Sequence, residues 1–175
     1  MALTLERHDT PPDGPIVGTA HAHWRDEADA QSLAMALAQA PGIQSGRMVL
    51  TGDLGAGKTT FVRHLLRSLG VTGTIKSPTY AVLEPHQAAA ELGGFAILHF
   101  DCYRFQDPQE WEDAGFRDQW DGPGLKLCEW PQRVPGLSDS ADWHIDIQAS
   151  GAQSREVRIQ ALTALGVSWL DHLQS

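Results

Sequence analysis

The chain is 175 residues long, 42% hydrophobic, with a mean hydropathy of -0.27. That composition suits one soluble globular domain with a single sizeable core, and no apolar run approaches the ~20 residues of a membrane helix. A formal net charge of -9 and a pI near 5.2 exclude a surface that grips nucleic acid unaided, so basic partners would have to make that contact. With only Cys102 and Cys128, neither in a C-x-x-C pair, a disulfide scaffold and a structural zinc site are excluded, and both cysteines read as small buried apolar residues. The N-terminus lacks a charged-then-apolar leader pattern, so a cytoplasmic protein without a membrane partner is expected.

In chain order, residues 1–15 end in a proline-rich stretch and are expected to be a mobile N-terminal arm, leaving 16–175 as the folded domain. IVGTAHAHW reads as a first strand. Residues 26–40 are alanine-rich, with acids in front and Pro41-Gly42 behind, which are helix start and stop signals in the right order. RMVLT (47–51) is a short apolar strand. A helix from Lys58 to Leu69 puts Phe61, Val62, Leu65, Leu66 and Leu69 on one face and Arg63 and Arg67 on the other, with Gly70 as its stop. TYAVLEP and FAILHFD read as two strands around a loop at 86–94. DPQEWEDAGF reads as a short helix, LKLCEW as a buried strand, and DWHIDIQA and REVRIQAL as a late antiparallel pair. GVSWLDHLQ closes the chain as a helix. Strands alternating with helices predict an α/β fold: a single domain with a mostly parallel central sheet flanked by helices.

Between RMVLT and the amphipathic helix stands Gly52-Asp53-Leu54-Gly55-Ala56-Gly57-Lys58-Thr59-Thr60, which satisfies G-x-x-x-x-G-K-S/T at every fixed position. Glycines permit positive φ and remove the Cβ that would hold a phosphate off the backbone. The loop N–H groups and the helix N-terminus then form an anion cradle. Lys58 is expected to reach the β- and γ-phosphates, and the Thr59 hydroxyl to ligate Mg²⁺. No N-K-x-D motif for guanine is present, so ATP is the expected nucleotide.

Three further segments bear on the chemistry. KSPTYAVLE (76–84) falls where a switch loop would face the γ-phosphate, LHFDCYRF (98–105) ends an apolar strand with Asp101, and LKLCEWPQR (125–133) ends another with Glu129. Strand ends in such sheets converge on the ligand crevice, so Asp101 and Glu129 are expected to meet there. Each has a plainer reading. Asp101 is otherwise a strand cap, Glu129 a solvated acid, and Ser77-Pro78-Thr79 a simple turn. Trp130 reads equally as core or as a nucleotide contact, and His99 reads as a packed, hydrogen-bonded histidine.

Taken together, Gly52 to Thr60, Ser77-Pro78-Thr79-Tyr80, His99-Phe100-Asp101-x-Tyr103-Arg104 and Glu129-Trp130-Pro131 resemble the bacterial TsaE (YjeE) ATPases over roughly residues 26–160. The resemblance implies the ATPase component of the machinery that makes threonylcarbamoyladenosine beside the tRNA anticodon. Such a component acts on a TsaB–TsaD complex without transferring the group itself, and any tRNA contact runs through those partners. It implies phosphate binding by Gly52 to Thr60, and Mg²⁺ binding by Thr59 with Glu129. It further implies a Walker B role for Asp101, γ-phosphate sensing by Thr79, and nucleotide contacts by Trp130 and Arg155. The chain departs from the family pattern at Ala30, where a nucleotide-contacting threonine is usual. A small-molecule kinase and a nucleotide-gated binding module with incidental hydrolysis are the rival readings.

Overall fold

A computed structural model describes residues 3–6 and 17–175. In chain order its elements are strands β1 (Leu3–Glu6) and β2 (Gly18–Trp24), helix α1 (Glu27–Leu37), β3 (Arg47–Thr51), α2 (Lys58–Ser68), β4 (Leu83–Gln87) and β5 (Ala96–Asp101). There follow short helices α3 (Gln109–Asp113) and α4 (Phe116–Asp121), then β6 (Leu125–Glu129), β7 (Trp143–Ala149), β8 (Arg155–Ala161) and α5 (Ala164–His172). The strands form one sheet in the order β1-β2-β8-β7-β3-β6-β5-β4. Its centre is parallel, β7 to β3 to β6 to β5, and both flanks are antiparallel, including the late β7–β8 pair.

Side chains alternate across the pleat and so feed two cores. Met48, Leu50, Leu125 and Leu127 join a cluster with Leu33 and Leu37 of α1, Phe61 and Leu65 of α2, and Trp169 of α5. Val49, Phe100 and Cys128 point the other way, to Trp111 of α3 and Trp120 of α4. Every residue of β6 is buried, as expected of a central parallel strand covered on both faces. On α2 the expected apolar face is fully buried: Phe61, Val62, Leu65, Leu66 and Leu69 are each 0% exposed. Burying each such side chain contributes about 1.5–3 kcal/mol, which anchors the helix that follows the glycine-rich loop.

Its opposite face has a second use. Arg67 donates to the carbonyls of Val71 (2.7 Å) and Gly73, and Arg63 Nε to that of Ile75 (3.4 Å), pinning the segment that leads into Ser77.

Three differences from the expected elements have local causes. Leu3–Glu6 pairs antiparallel with β2, where only an arm was expected; the rest of that arm lies outside the described residues. β4 starts at Leu83 rather than Thr79, because Val82 N bonds back to Pro78 O (2.6 Å) and Val82 turns to φ 66°. A second short helix, α4, follows α3, entered through Gly115 at φ 70° and held by fully buried Trp120.

Gly52 ends the β3 run with φ 139°, and a Cβ there would overlap the carbonyl oxygen of Ile147 in β7. Neither the backbone angle nor the neighbouring strand accommodates a side chain. Gly52→Ala is therefore expected to destabilise the fold by about 2 kcal/mol or more, read as a lowered urea midpoint. An unchanged midpoint would mean that the loop is not held against β7.

Candidate active site

At the carboxyl ends of the parallel strands the register lines up the acids. Asp101 of β5 is the Cα partner of Glu129 of β6, and Glu129 is in turn the partner of Leu50, the residue before Thr51 and Gly52. A separation of 28 positions in sequence thus becomes one strand spacing. This is the crevice position of an open α/β sheet.

Above it the loop 52–57 passes into α2. Gly57 caps the helix at φ 112° with no side-chain hydrogen bond, so α2 opens with its first N–H groups uncapped by any side chain. Gly55 (φ 80°) and Gly57 have nothing within 4 Å of where a Cβ would stand. Their missing side chains leave space on the outer side of the loop. A cavity of about 390 Å³ lies on one flank, lined by Trp24, Glu27, Ala30 and Arg155, and one of about 260 Å³ on the other, lined by Lys58, Thr59, Thr79, Asp101 and Glu129. Gly55, Gly57 and Thr60 belong to both. Open glycines at the start of a helix, between two cavities, leave room for an anionic group to approach the backbone N–H groups.

Lys58 is only 4% exposed. Its Nζ donates to the carbonyls of Gly52 (2.6 Å) and Asp53 (2.9 Å) and stands 4.2 Å from the centroid of the Trp130 ring. Burial pushes the Lys58 ammonium below the usual lysine range, and the negative charges of Glu129, Asp101 and Asp53 push partly back. More negative charge beside it would favour its charged form further.

Thr59 Oγ1 donates to the Glu129 carboxylate, at 2.9 Å from Oε1 and 2.8 Å from Oε2. Asp101 accepts from Ser77 Oγ, from Thr79 Oγ1 (3.1 Å) and from the backbone N–H of Tyr103 (2.9 Å). One hydroxyl and two nearly buried carboxylates are a hard oxygen donor set, the chemistry Mg²⁺ prefers. The residues present therefore fit that ion.

Trp24, Trp111, Trp120, Trp143 and Trp169 are fully buried; the sixth tryptophan, Trp130, is half-buried. Its φ of 58° turns it off the end of β6, where its ring meets Lys58 and Tyr103 (centroids 5.0 Å apart). The ring also packs against the core on the α3 and α4 side, so it has an interior contact as well as one with Lys58. Arg155, at the start of β8, donates from Nε to Ala56 O (2.7 Å) and so reaches the glycine-rich loop across 99 positions. Leu54 stands 77% exposed at the tip of the loop.

Of the residues singled out in the sequence, Gly55, Ala56, Gly57, Thr60 and Arg155 line the first of these cavities, Leu54, Lys58, Thr59, Thr79, Asp101, Glu129 and Trp130 the second, and Gly52 and Asp53 a neighbouring one shared with Trp130. Missed were Trp24, Asp26 and Glu27, which line the larger cavity from β2 and the start of α1. Asp26 is legible only as the N-cap of α1, accepting from Ala28 N at 2.9 Å. Nothing local in the sequence says that this helix start borders the loop. Among the described residues, no helix is long and apolar enough to cross a membrane.

Comparison with known proteins is consistent with this geometry. The family model described as "Threonylcarbamoyl adenosine biosynthesis protein TsaE" matches residues 24–157. The tRNA threonylcarbamoyladenosine biosynthesis protein TsaE of Haemophilus influenzae is 39% identical over 117 residues, 67% of this chain and 71% of the relative. Its namesake in Bacillus subtilis is 31% identical over 140 residues, 79% and 85% of the two chains. In three dimensions the crystal structure of Bacillus subtilis YdiB superposes with a TM-score of 0.67 at 22% identity, covering 89% of this chain and 94% of that one, a likeness of fold. By the extent of these matches, the chain belongs to the TsaE family.

Proposed function

We propose that this protein binds ATP with Mg²⁺ and hydrolyses it in the service of tRNA threonylcarbamoyladenosine biosynthesis, acting on a TsaB–TsaD complex rather than transferring the group itself. The observation that carries this reading is the phosphate loop lying between two cavities, with open glycines at 55 and 57 and Lys58, Thr59 and Glu129 gathered on one flank. The names printed for the relatives in Haemophilus influenzae and Bacillus subtilis support the biological role.

Each residue has a task in this reading. Gly52 to Thr60 cradle the phosphates, with Arg155 and Trp24 on the flank that takes the nucleoside. Trp130 stays with Lys58 on the flank of the terminal phosphate. Thr59 and Glu129 would hold Mg²⁺, with Asp101 in the Walker B role, and the ion would neutralise charge that develops on the phosphate oxygens. Thr79, bonded to Asp101, ties the 74–80 segment to the same acid, so occupancy of the cleft and the position of that segment are linked.

Among the described residues lining the smaller cavity there is no arginine. An arginine at the transferring phosphate contributes on the order of 10³–10⁵ in rate, so slow hydrolysis alone and faster hydrolysis with partners is expected. The acidic surface, with a net charge of -9, leaves tRNA contact to those partners.

The test is phosphate release from ATP by the purified chain, alone and with a TsaB–TsaD pair, beside a pull-down of that pair with and without ATP. Slow release that rises with the pair, and ATP-dependent capture, are expected. Phosphate passed to a metabolite instead of water would make the protein a kinase. Repeated rounds of tRNA modification on a non-hydrolysable ATP analogue would make it a nucleotide-gated binding module.

A further inference from the structure

His99 stands in β5 two residues before Asp101, on the same face of the sheet, and its side chain is 0% exposed. Its Cα partner in β6 is fully buried Leu127, Ile97 two residues before it on the same face is fully buried too, and its Cα partner in β4 is Glu84. Its Nε2 lies 2.9 Å from Oε1 of Glu129. A carboxylate only accepts, so Nε2 carries the hydrogen and donates. The other ring nitrogen, Nδ1, is buried and has no hydrogen-bond partner among the described residues.

That asymmetry is informative. A buried polar atom left without a partner costs stability, and a leucine at this position would avoid that cost. Among the described residues the imidazole has one hydrogen bond, and its partner is the acid beside Thr59. Glu129 receives donors from both sides: His99 at Oε1, and the Thr59 hydroxyl 2.9 and 2.8 Å from its two oxygens. His99 bonds Oε1 alone, so Oε2 has only the Thr59 hydroxyl against it.

We propose that His99 is a positioning residue for the metal, its buried Nε2–H fixing the Glu129 carboxylate that faces Thr59. This rests on the reading of Thr59 and Glu129 as the Mg²⁺ ligands. Hydrogen bonds to the far side of a ligating group set its orientation, and their loss typically weakens metal binding by about 10–100-fold.

The experiment measures ADP affinity calorimetrically, in Mg²⁺ and in EDTA, for the full chain and for His99→Leu, His99→Gln and His99→Asn. The parent is expected to bind ADP more tightly with Mg²⁺. His99→Leu should lose about tenfold or more of that Mg²⁺-dependent gain while its affinity in EDTA is unchanged. The Gln amide nitrogen extends to where Nε2 sits and should recover most of the gain, whereas the shorter Asn should not. The Gln and Asn pair decides the matter even if the leucine variant fails to fold. Equal behaviour of Gln and Asn, or a leucine variant with the parent's Mg²⁺ gain, would overturn the proposal and leave the ligand assignment standing. A parent that binds ADP equally with and without Mg²⁺ would overturn that assignment too.

Discussion

Lys58→Ala is expected to lower the rate of ATP hydrolysis by about 10²–10³-fold, while circular dichroism and the urea midpoint stay close to the parent's. The Lys58 ammonium lies in a nearly closed site, 4% exposed, with three carboxylates close enough to act on its charge. In such a low-dielectric place a fixed positive charge stabilises developing negative charge far more than it would in water. What the substitution removes from the folded protein is small. The Nζ bonds of 2.6 and 2.9 Å go to carbonyls of its own loop, and no core residue depends on them. The apolar face of α2, from Phe61 to Leu69, is untouched. A truncated variant that hydrolysed ATP like the parent would mean that the phosphates lie elsewhere.

How much of this was legible in the sequence depends on the range of the interaction that decides each feature. The glycine-rich loop is local. Its spacing, the apolar run of β3 before it and the 3.6-residue period of α2 after it all fall within 25 positions, and β3 begins and ends where the sequence places it. The start of β4 is not local. TYAVLEP has the composition of a strand, yet Thr79 bonds to Asp101, 22 residues on, and the Asp101 N–H bonds to Val82 O at 2.7 Å. Those contacts fold Thr79 to Val82 into a turn, and no short window contains them.

Trp130 illustrates a different limit. The sequence leaves core and nucleotide contact equally open, and the left-handed backbone at the end of β6, φ 58°, lets the half-buried ring touch both the second core and Lys58. The position of Arg155 came from resemblance to a family; its bond to Ala56 O spans two strands and could not be read from spacing. His99 is the reverse case. Its burial on the Asp101 face follows from strand alternation, but its bond to Glu129 depends on a register that only the assembled sheet supplies.

The second large effect is expected from Glu129→Gln. The amide keeps the volume of the carboxylate and an oxygen that can accept from Thr59 and His99, so the hydrogen-bonded arrangement at the end of β6 can persist. What disappears is the negative charge next to the Thr59 hydroxyl. A divalent ion held by oxygen ligands depends on that charge, and the ion's share of phosphoryl transfer is to neutralise the transferring group. Hydrolysis should therefore fall by about 10²–10³-fold, with a raised Mg²⁺ requirement, and excess Mg²⁺ should restore part of the rate. Titration of Mg²⁺ at saturating ATP, followed by phosphate release, makes the measurement. The contrast with Lys58→Ala is the useful part, since added Mg²⁺ offers no recovery to a chain that lacks the lysine. If Glu129→Gln were slow yet kept the parent's Mg²⁺ midpoint, Glu129 would be acting on water or on the phosphate directly, and Asp101 would become the leading candidate for the metal.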